Sequence, residues 1–343
     1  MSVVSKVRGF FSRHRNKFLV SGVIISGAIL LSKYAQYRLK EWQERETVEF
    51  FDRNRKQNHF DSIIKTSNQT FSNFSLALQD LISEIINTDE IIDKLKANPE
   101  NKVELWNNLK LLVFTKVGLL VYSSAMLAII VKIQLMIIGG YLYKDPNSVP
   151  TEIQEKYLSL CQNFLNSGVK KLAEIMETEV SKYVSILDLT KQLKLGDIEN
   201  IYWSVQVGLS SNTEGPIEQF RKYILTDDII SDSSDVYNSI ISDTADFLDS
   251  DEVKSLSTHC VNQGFILLGD QLAEFYSKGD TPSTSDKDES FNNPFELRKP
   301  LAKLIPLING ILGKQSFPQL LVQQLMTNKK LQVFSANVYE SLL

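Results

Sequence analysis

Cysteine is almost absent from this 343-residue chain: Cys161 and Cys260 are its two thiols. Two thiols cannot build a disulfide framework, and they read as buried free thiols in a reducing compartment. Histidine is nearly as scarce. His14, His59 and His259 lie far apart, without metal-type spacing to cysteines or acids. His259 and Cys260 are adjacent, and adjacent helical positions do not face one another, which argues against a nucleophile–base pair. G-x-S-x-G, H-E-x-x-H, a phosphate-cradling glycine loop and the acidic calcium-loop pattern are all missing, and Gly310–Lys314 lacks P-loop spacing. The expectation is no catalytic residues, no cofactor, no metal and no enzyme. Period-two alternation bounded by turn dipeptides is scarce, so strands are not expected, and no repeat of fixed period occurs.

Charge of either sign is not in excess, since the net is −4, but its placement is uneven. Residues 1–17 carry Lys6, Arg8, Arg13, Arg15 and Lys17 with no acid, whereas residues 227–252 carry nine acids with no Lys or Arg. This balance gives no support for nucleic-acid binding, which needs a basic face on a folded domain. The acidic stretch reads as a solvated face, with a tether or scaffold that recruits other proteins through it as the alternative function.

Long hydrophobic runs are few and short. "FLVSGVIISGAILL" (18–31) is uncharged for 14 residues and extends to about 37 through Lys33, Tyr34 and Tyr37. A span needs about 20 residues, with lysine snorkelling and tyrosine sitting at the interface. A signal peptide is the rival reading. The bulky, charged "KYAQYRLKEWQERE" offers no small-residue cleavage site, so a retained anchor is favoured. Residues 38–58 follow as a charged juxtamembrane helix, free of Gly and Pro. Basic residues flank the span on both sides, leaving orientation open.

The remainder has the period of helices. Leu76, Leu78, Leu81, Ile82, Ile85 and Ile86 recur at helical spacing, Pro99 breaks the pattern, and a new helix starts near Lys102. Residues 117–131, "VGLLVYSSAMLAIIV", favour a central core helix over a second span, because 15 residues fall short of about 18. Gly139-Gly140 is expected to end it. Thr151 and Gln154 form a T-x-x-Q capping box. Helical patterns cover 169–195, 216–225, 234–249 and 253–276, and a last helical pair closes the chain. Residues 277–294, rich in Ser, Asp and Gly, read as a disordered surface loop. The predicted fold is all-α: one N-terminal transmembrane helix, then a large bundle of long helices over 59–343.

One tryptophan stands out in "NPENKVELWNNLKLLVF" (98–114). With Trp106 at zero on a helical wheel, Leu105, Leu109, Leu112 and Val113 fill an arc from about −120 to −20 degrees. Lys102 and Lys110 fall on either side of the indole, at about −40 and +40 degrees. Trp106 therefore sits at the edge of the buried face between two positive charges. A boundary tryptophan is more often a core filler, yet an aromatic anchor with a charged rim is also how a helical domain grips a partner helix. Trp203 reads as core or as a second surface contact.

Local segments resemble one family, peroxisomal biogenesis factor 3. "EWQERE", "HFDS" (59–62), "NKVELWNNLKLLVFT", "YSSAMLAIIVKIQLMIIGGYLY", "SILDL", "PLAKLIPLING" and "FSANVYE" carry the similarity in order along nearly the whole chain. Residues 200–255 match only loosely. The resemblance implies a single-pass protein of the peroxisomal membrane, with residues 1–17 in the matrix and the bundle in the cytosol. It implies a docking receptor for the membrane-protein import chaperone, peroxisomal biogenesis factor 19, whose N-terminal amphipathic helix would lie in an apolar groove. Carried over, Trp106 is the central anchor, with Lys102, Leu109 and Leu95 beside it. Pro300 and Lys303 form the second wall, and Val180 stands where relatives can have leucine. Membrane lipid is a weaker secondary contact.

Overall fold

The structure, a computed structural model, describes residues 50–225, 234–277, 296–313 and 316–343. The basic tail (1–17), the expected anchor (18–37), most of the expected juxtamembrane helix and nearly all of the loop expected at 277–294 lie outside the described residues. So does the first part of the acidic stretch, through residue 233. The chain divides into two compact units, residues 1–59 and 60–343. In the first, residues 50–59 are helical, with Phe50 and Phe51 exposed.

The second unit is an all-helical bundle. Its helices are residues 60–85 (α1), Thr88–Lys96 (α2), Lys102–Lys144 (α3), Thr151–Leu158 (α4) and Leu160–Asn163 (α5). A π turn, Phe164–Gly168, leads into Val169–Val184 (α6). Then come Leu195–Ser211 (α7), Asp235–Asp249 (α8) and Asp251–Ser277 (α9). The last three are Leu301–Gly313 (α10), Ser316–Thr327 (α11) and Lys329–Ser341 (α12). Two strands of two residues each, Gln192–Leu193 (β1) and Lys299–Pro300 (β2), pair antiparallel. They are too short to show as alternation in the sequence.

Helix α3 organises everything else. Its 43 residues extend about 65 Å, and α2, α6, α8, α9, α10, α11 and α12 all pack on it. It is the one helix long and apolar enough to cross a membrane among the described residues. Yet 83% of its most apolar window is buried inside the bundle, as a core helix apolar on all faces requires. Gly139-Gly140 does not end it. A Cβ on Gly139 would run into Ile63 of α1, and one on Gly140 would lie 2.8 Å from Leu342 Cβ. These glycines let neighbouring segments approach, and the helix continues to Lys144. Near the same end, Tyr339 packs against Phe60 and Tyr143 with ring centroids 5.5 and 6.2 Å apart.

Two polar side chains of α3 cross the core with their hydrogen bonds satisfied. Lys132 is buried in mid-helix, and its Nζ donates to Ser67 Oγ and Asn68 Oδ1 of α1, each at 2.7 Å. Burial pushes its pKa down to about 8. Gln134 donates to the Tyr157 carbonyl at 2.6 Å and accepts from Cys161 Sγ at 2.6 Å. Both cysteines are buried and free, as the composition implied, and burial pushes the Cys260 thiol up to about 12.

Four local expectations need correction. Thr151 opens α4 but does not cap it; Pro150 holds the N-cap position, and the Gln154 carboxamide donates to the Val149 carbonyl instead. The pattern over 169–195 is interrupted, since α6 stops at Val184 and a bend leads into β1. Residues 216–225 form only a short 3-10 turn, Phe220–Tyr223. Leu76 points outward, whereas Leu78, Ile82 and Ile86 face the core. Helix α7 was not anticipated from the residues.

Candidate functional site

The candidate site builds from the corner between α2 and α3. Asn87 caps α2 by accepting from the Glu90 backbone N–H at 3.1 Å. The helix ends at Lys96, and Asn98 takes a left-handed conformation, φ 56°, before Pro99. Asparagine tolerates that region far better than β-branched residues do. The turn places Leu95, in the last turn of α2, and Trp106, in the second turn of α3, at one end of the bundle. Both are partly buried and packed against the edge of the core. Lys102 is exposed in the first turn of α3.

The facing wall is hydrogen-bonded to this corner. Lys110 Nζ donates to the Leu187 carbonyl at 2.6 Å and to Asn107 Oδ1 at 3.1 Å. The bend then continues, and the Leu189 and Lys191 carbonyls accept from the backbone N–H groups of Ala302 and Leu301, each at 2.9 Å. Pro300 pairs with Gln192 in the two-stranded ladder. Thr88, opening α2, donates to Asn309 Oδ1 of α10 at 3.0 Å. Through these links the first turns of α3, the bend after α6 and the start of α10 meet at one end of the bundle. Pro300 is partly buried there, and Lys303 is exposed.

Three residues take positions that the sequence alone does not reveal. Lys110 is only 1% exposed, so it is no rim charge beside Trp106. Burial lowers its pKa, with Asp188 opposing, and its ammonium is a structural tie. Leu109 and Val180 are buried in the core and present no surface.

Two exposed apolar residues at this end went unnoticed in the sequence. Val103 is 69% exposed one turn before Trp106, and Ile186 is 79% exposed beside the carbonyl that Lys110 holds. Helical periodicity carried through 195 would have buried part of that segment. No glycine or proline marks the stop at Val184, so the pattern gave no sign that Ile186 turns outward.

Among the described residues no cluster of three or more His, Cys, Asp or Glu could hold a metal ion. The acids of the stretch 235–252 are partly engaged within the bundle. Asp243 accepts from Tyr141 at 2.7 Å, Asp249 pairs with Arg221 at 3.2 Å, and Glu252 accepts from Asn337 at 3.1 Å.

These features define a class: an all-helical scaffold whose candidate site is an apolar contact surface edged by lysines. The comparisons with known proteins specify it further. The family profile for Peroxin-3 matches residues 96–145 and 141–341. Peroxisomal biogenesis factor 3 of Homo sapiens is 30% identical over 368 residues, covering 99% of this chain and 98% of the relative. Its counterpart in Bos taurus is 31% identical over 359 residues, covering 97% and 96%. Peroxisome biogenesis protein 3-1 of Arabidopsis thaliana is 28% identical over 215 residues, covering 55% and 59%. The chain belongs to the peroxin-3 family, whose relatives are named as peroxisome biogenesis factors.

Proposed function

We propose that this protein is a docking receptor at the peroxisomal membrane for the import chaperone of peroxisomal membrane proteins, peroxisomal biogenesis factor 19. The observation that carries the reading is the apolar corner around Trp106. There Leu95, Val103 and Ile186 supply further apolar surface, and Lys102 lies at the edge. An amphipathic helix from the chaperone's N-terminus would lay its apolar face on Trp106, Leu95 and Ile186. Lys102 on one side and Lys303 beside Pro300 on the other select acids on its flanks. Leu109 and Val180, buried in the core, add no contact surface. The mechanism is physical: exposed apolar surface at a preformed corner is stabilised when a partner covers it.

Family membership supports the peroxisomal setting; in this reading residues 18–37 form the anchor, residues 1–17 lie in the matrix and the bundle lies in the cytosol. Lipid is a weaker second contact. The rival reading, a tether working through the acidic stretch, draws less support because Asp243, Asp249 and Glu252 are already engaged.

The test is titration of the chaperone's N-terminal peptide against the full chain in neutral lipid nanodiscs, wild type beside Trp106→Ala, with thermal unfolding of both. A tryptophan hot spot is worth about 2–4 kcal/mol, a weakening of roughly 30- to 1,000-fold. Loss of binding with unchanged unfolding is the expected result. Unchanged binding, or collapse of the fold, would return Trp106 to the core.

A further inference from the structure

A second apolar groove, of about 510 Å³, lies between α7 and α9 and shares no lining residue with the Trp106 corner. Trp203 of α7 is 64% exposed on one lip, and Ile266 of α9 is 55% exposed on the other. Val207, one turn beyond Trp203, is also exposed. The floor is rigid. Tyr202 stacks on Phe265 with centroids 4.9 Å apart, and Phe114 and Tyr122 of α3 back this pair at 5.7 and 6.3 Å. Single exposed apolar residues are ordinary on a protein surface, but several arranged around a preformed groove mark an interface.

We propose that this groove is a second docking surface, and that it takes an amphipathic helix with a basic polar face from a partner protein. Length and charge select the occupant. The lining runs from Ile198 to Gln206 on α7 and from Asn262 to Leu272 on α9. That is about 12–15 Å, which fits two to three turns of a bound helix. Helix α7 contains no Lys or Arg, and neither does α9 from Ser255 to Ser277. Glu199 lines the groove, its carboxylate lying against Gly269, and exposed Asp270 follows on the rim beside Ile266. Lys299, at the β2 end, is turned inward, and its Nζ donates to the Phe275 carbonyl at 2.9 Å.

Among the described residues of α7 and of α9 from Ser255 on, the rim is acidic and without Lys or Arg, which disfavours two other occupants. A second copy in a two-fold contact would set Glu199 and Asp270 against their own counterparts. An anionic lipid surface would be repelled by the same groups. A helix carrying lysines or arginines beside its apolar stripe meets both the indole and the carboxylates.

The experiment uses the full chain in phosphatidylcholine nanodiscs and two dye-labelled 18-residue amphipathic peptides. The peptides share one leucine face and differ in a polar face of lysine or of glutamate; anisotropy is read against empty discs. The lysine peptide should bind about tenfold or more tighter than the glutamate peptide. Trp203→Ala should weaken it about tenfold or more, while Trp106→Ala leaves it unchanged. Glu199→Lys combined with Asp270→Lys, both at exposed positions, should reverse the preference. Equal binding of the two peptides, or indifference to Trp203→Ala, would overturn the proposal. So would self-association abolished by Trp203→Ala, which would assign the groove to a second copy. Binding to phosphatidylserine vesicles lost in that variant would assign it to lipid.

Discussion

The ammonium of Lys110 lies 2.6 Å from the carbonyl oxygen of Leu187, joining the N-terminal turns of α3 to the bend after α6. A lysine that looks like a surface charge in the sequence thus fixes the wall on which Ile186 stands. Lys110→Met should remove the tie and leave the buried carbonyl unpaired. That costs about 1–3 kcal/mol of stability, and chaperone-peptide binding should weaken because Ile186 loses its support. Denaturant unfolding and the peptide titration together check this. Unchanged stability would mean that the bend is held elsewhere.

Ile186 itself provides a cleaner probe of the surface. It is exposed, so Ile186→Lys should change stability by no more than about 0.5 kcal/mol. Binding of the chaperone peptide should fall about tenfold or more, because a charge replaces an apolar contact at the interface. Binding equal to wild type would remove Ile186 from the docking surface.

Lys132 should leave a pH signature in folding. Its folded pKa, about 8, lies below the ordinary 10.5. Below pH 8 both states hold the proton, and folding carries the cost of burying the ammonium. Between pH 8 and 10.5 the unfolded chain binds more protons, so that cost is lifted and stability rises. Tyrosines and cysteines titrate in the same region, so the reading is the difference between wild type and Lys132→Met. Wild type should gain up to about 3 kcal/mol relative to the variant between pH 7 and pH 10. Parallel stability curves for the two proteins would contradict the placement of Lys132.

The glycines separate by what surrounds them. A Cβ on Gly168 would run into the backbone carbonyl of Tyr223, which cannot swing aside, so Gly168→Ala should destabilise strongly. On Gly139 it would meet the flexible end of Ile63, and a cost of about 1–3 kcal/mol is expected. Gly310 has nothing within 4 Å and sits inside α10, so Gly310→Ala should stabilise by about 0.5–1 kcal/mol. Thermal unfolding of the three variants should reproduce this order.

Much of the bundle was legible because long amphipathic and all-apolar segments fix helix type before tertiary contacts act. The start of α3 at Lys102 and its role as the core follow from Pro99 and from 15 uncharged, mostly apolar residues between Lys116 and Lys132. Trp106 was also placed correctly at the edge of the buried stripe, since its position depends only on the helical period. What failed depended on contacts between segments distant in sequence. Gly139-Gly140 reads locally as a stop, but close approach by Ile63 and Leu342 gives the pair a packing role. Lys110 reads as solvated, and only the return of residue 187 shows what it holds. Helix α7 was not legible: its apolar residues face α6 and α9, while Trp203 and Val207 point outward and blur its period.

The most direct test of the central claim is amide hydrogen exchange of the full chain in nanodiscs, with and without the chaperone's N-terminal peptide. The bend at residues 185–191 and the corner at 97–104 lie outside the interior of long helices, so added protection there is readable. The account predicts slowed exchange in both segments, abolished by Trp106→Ala. Protection confined to α8, or surviving in that variant, would contradict it.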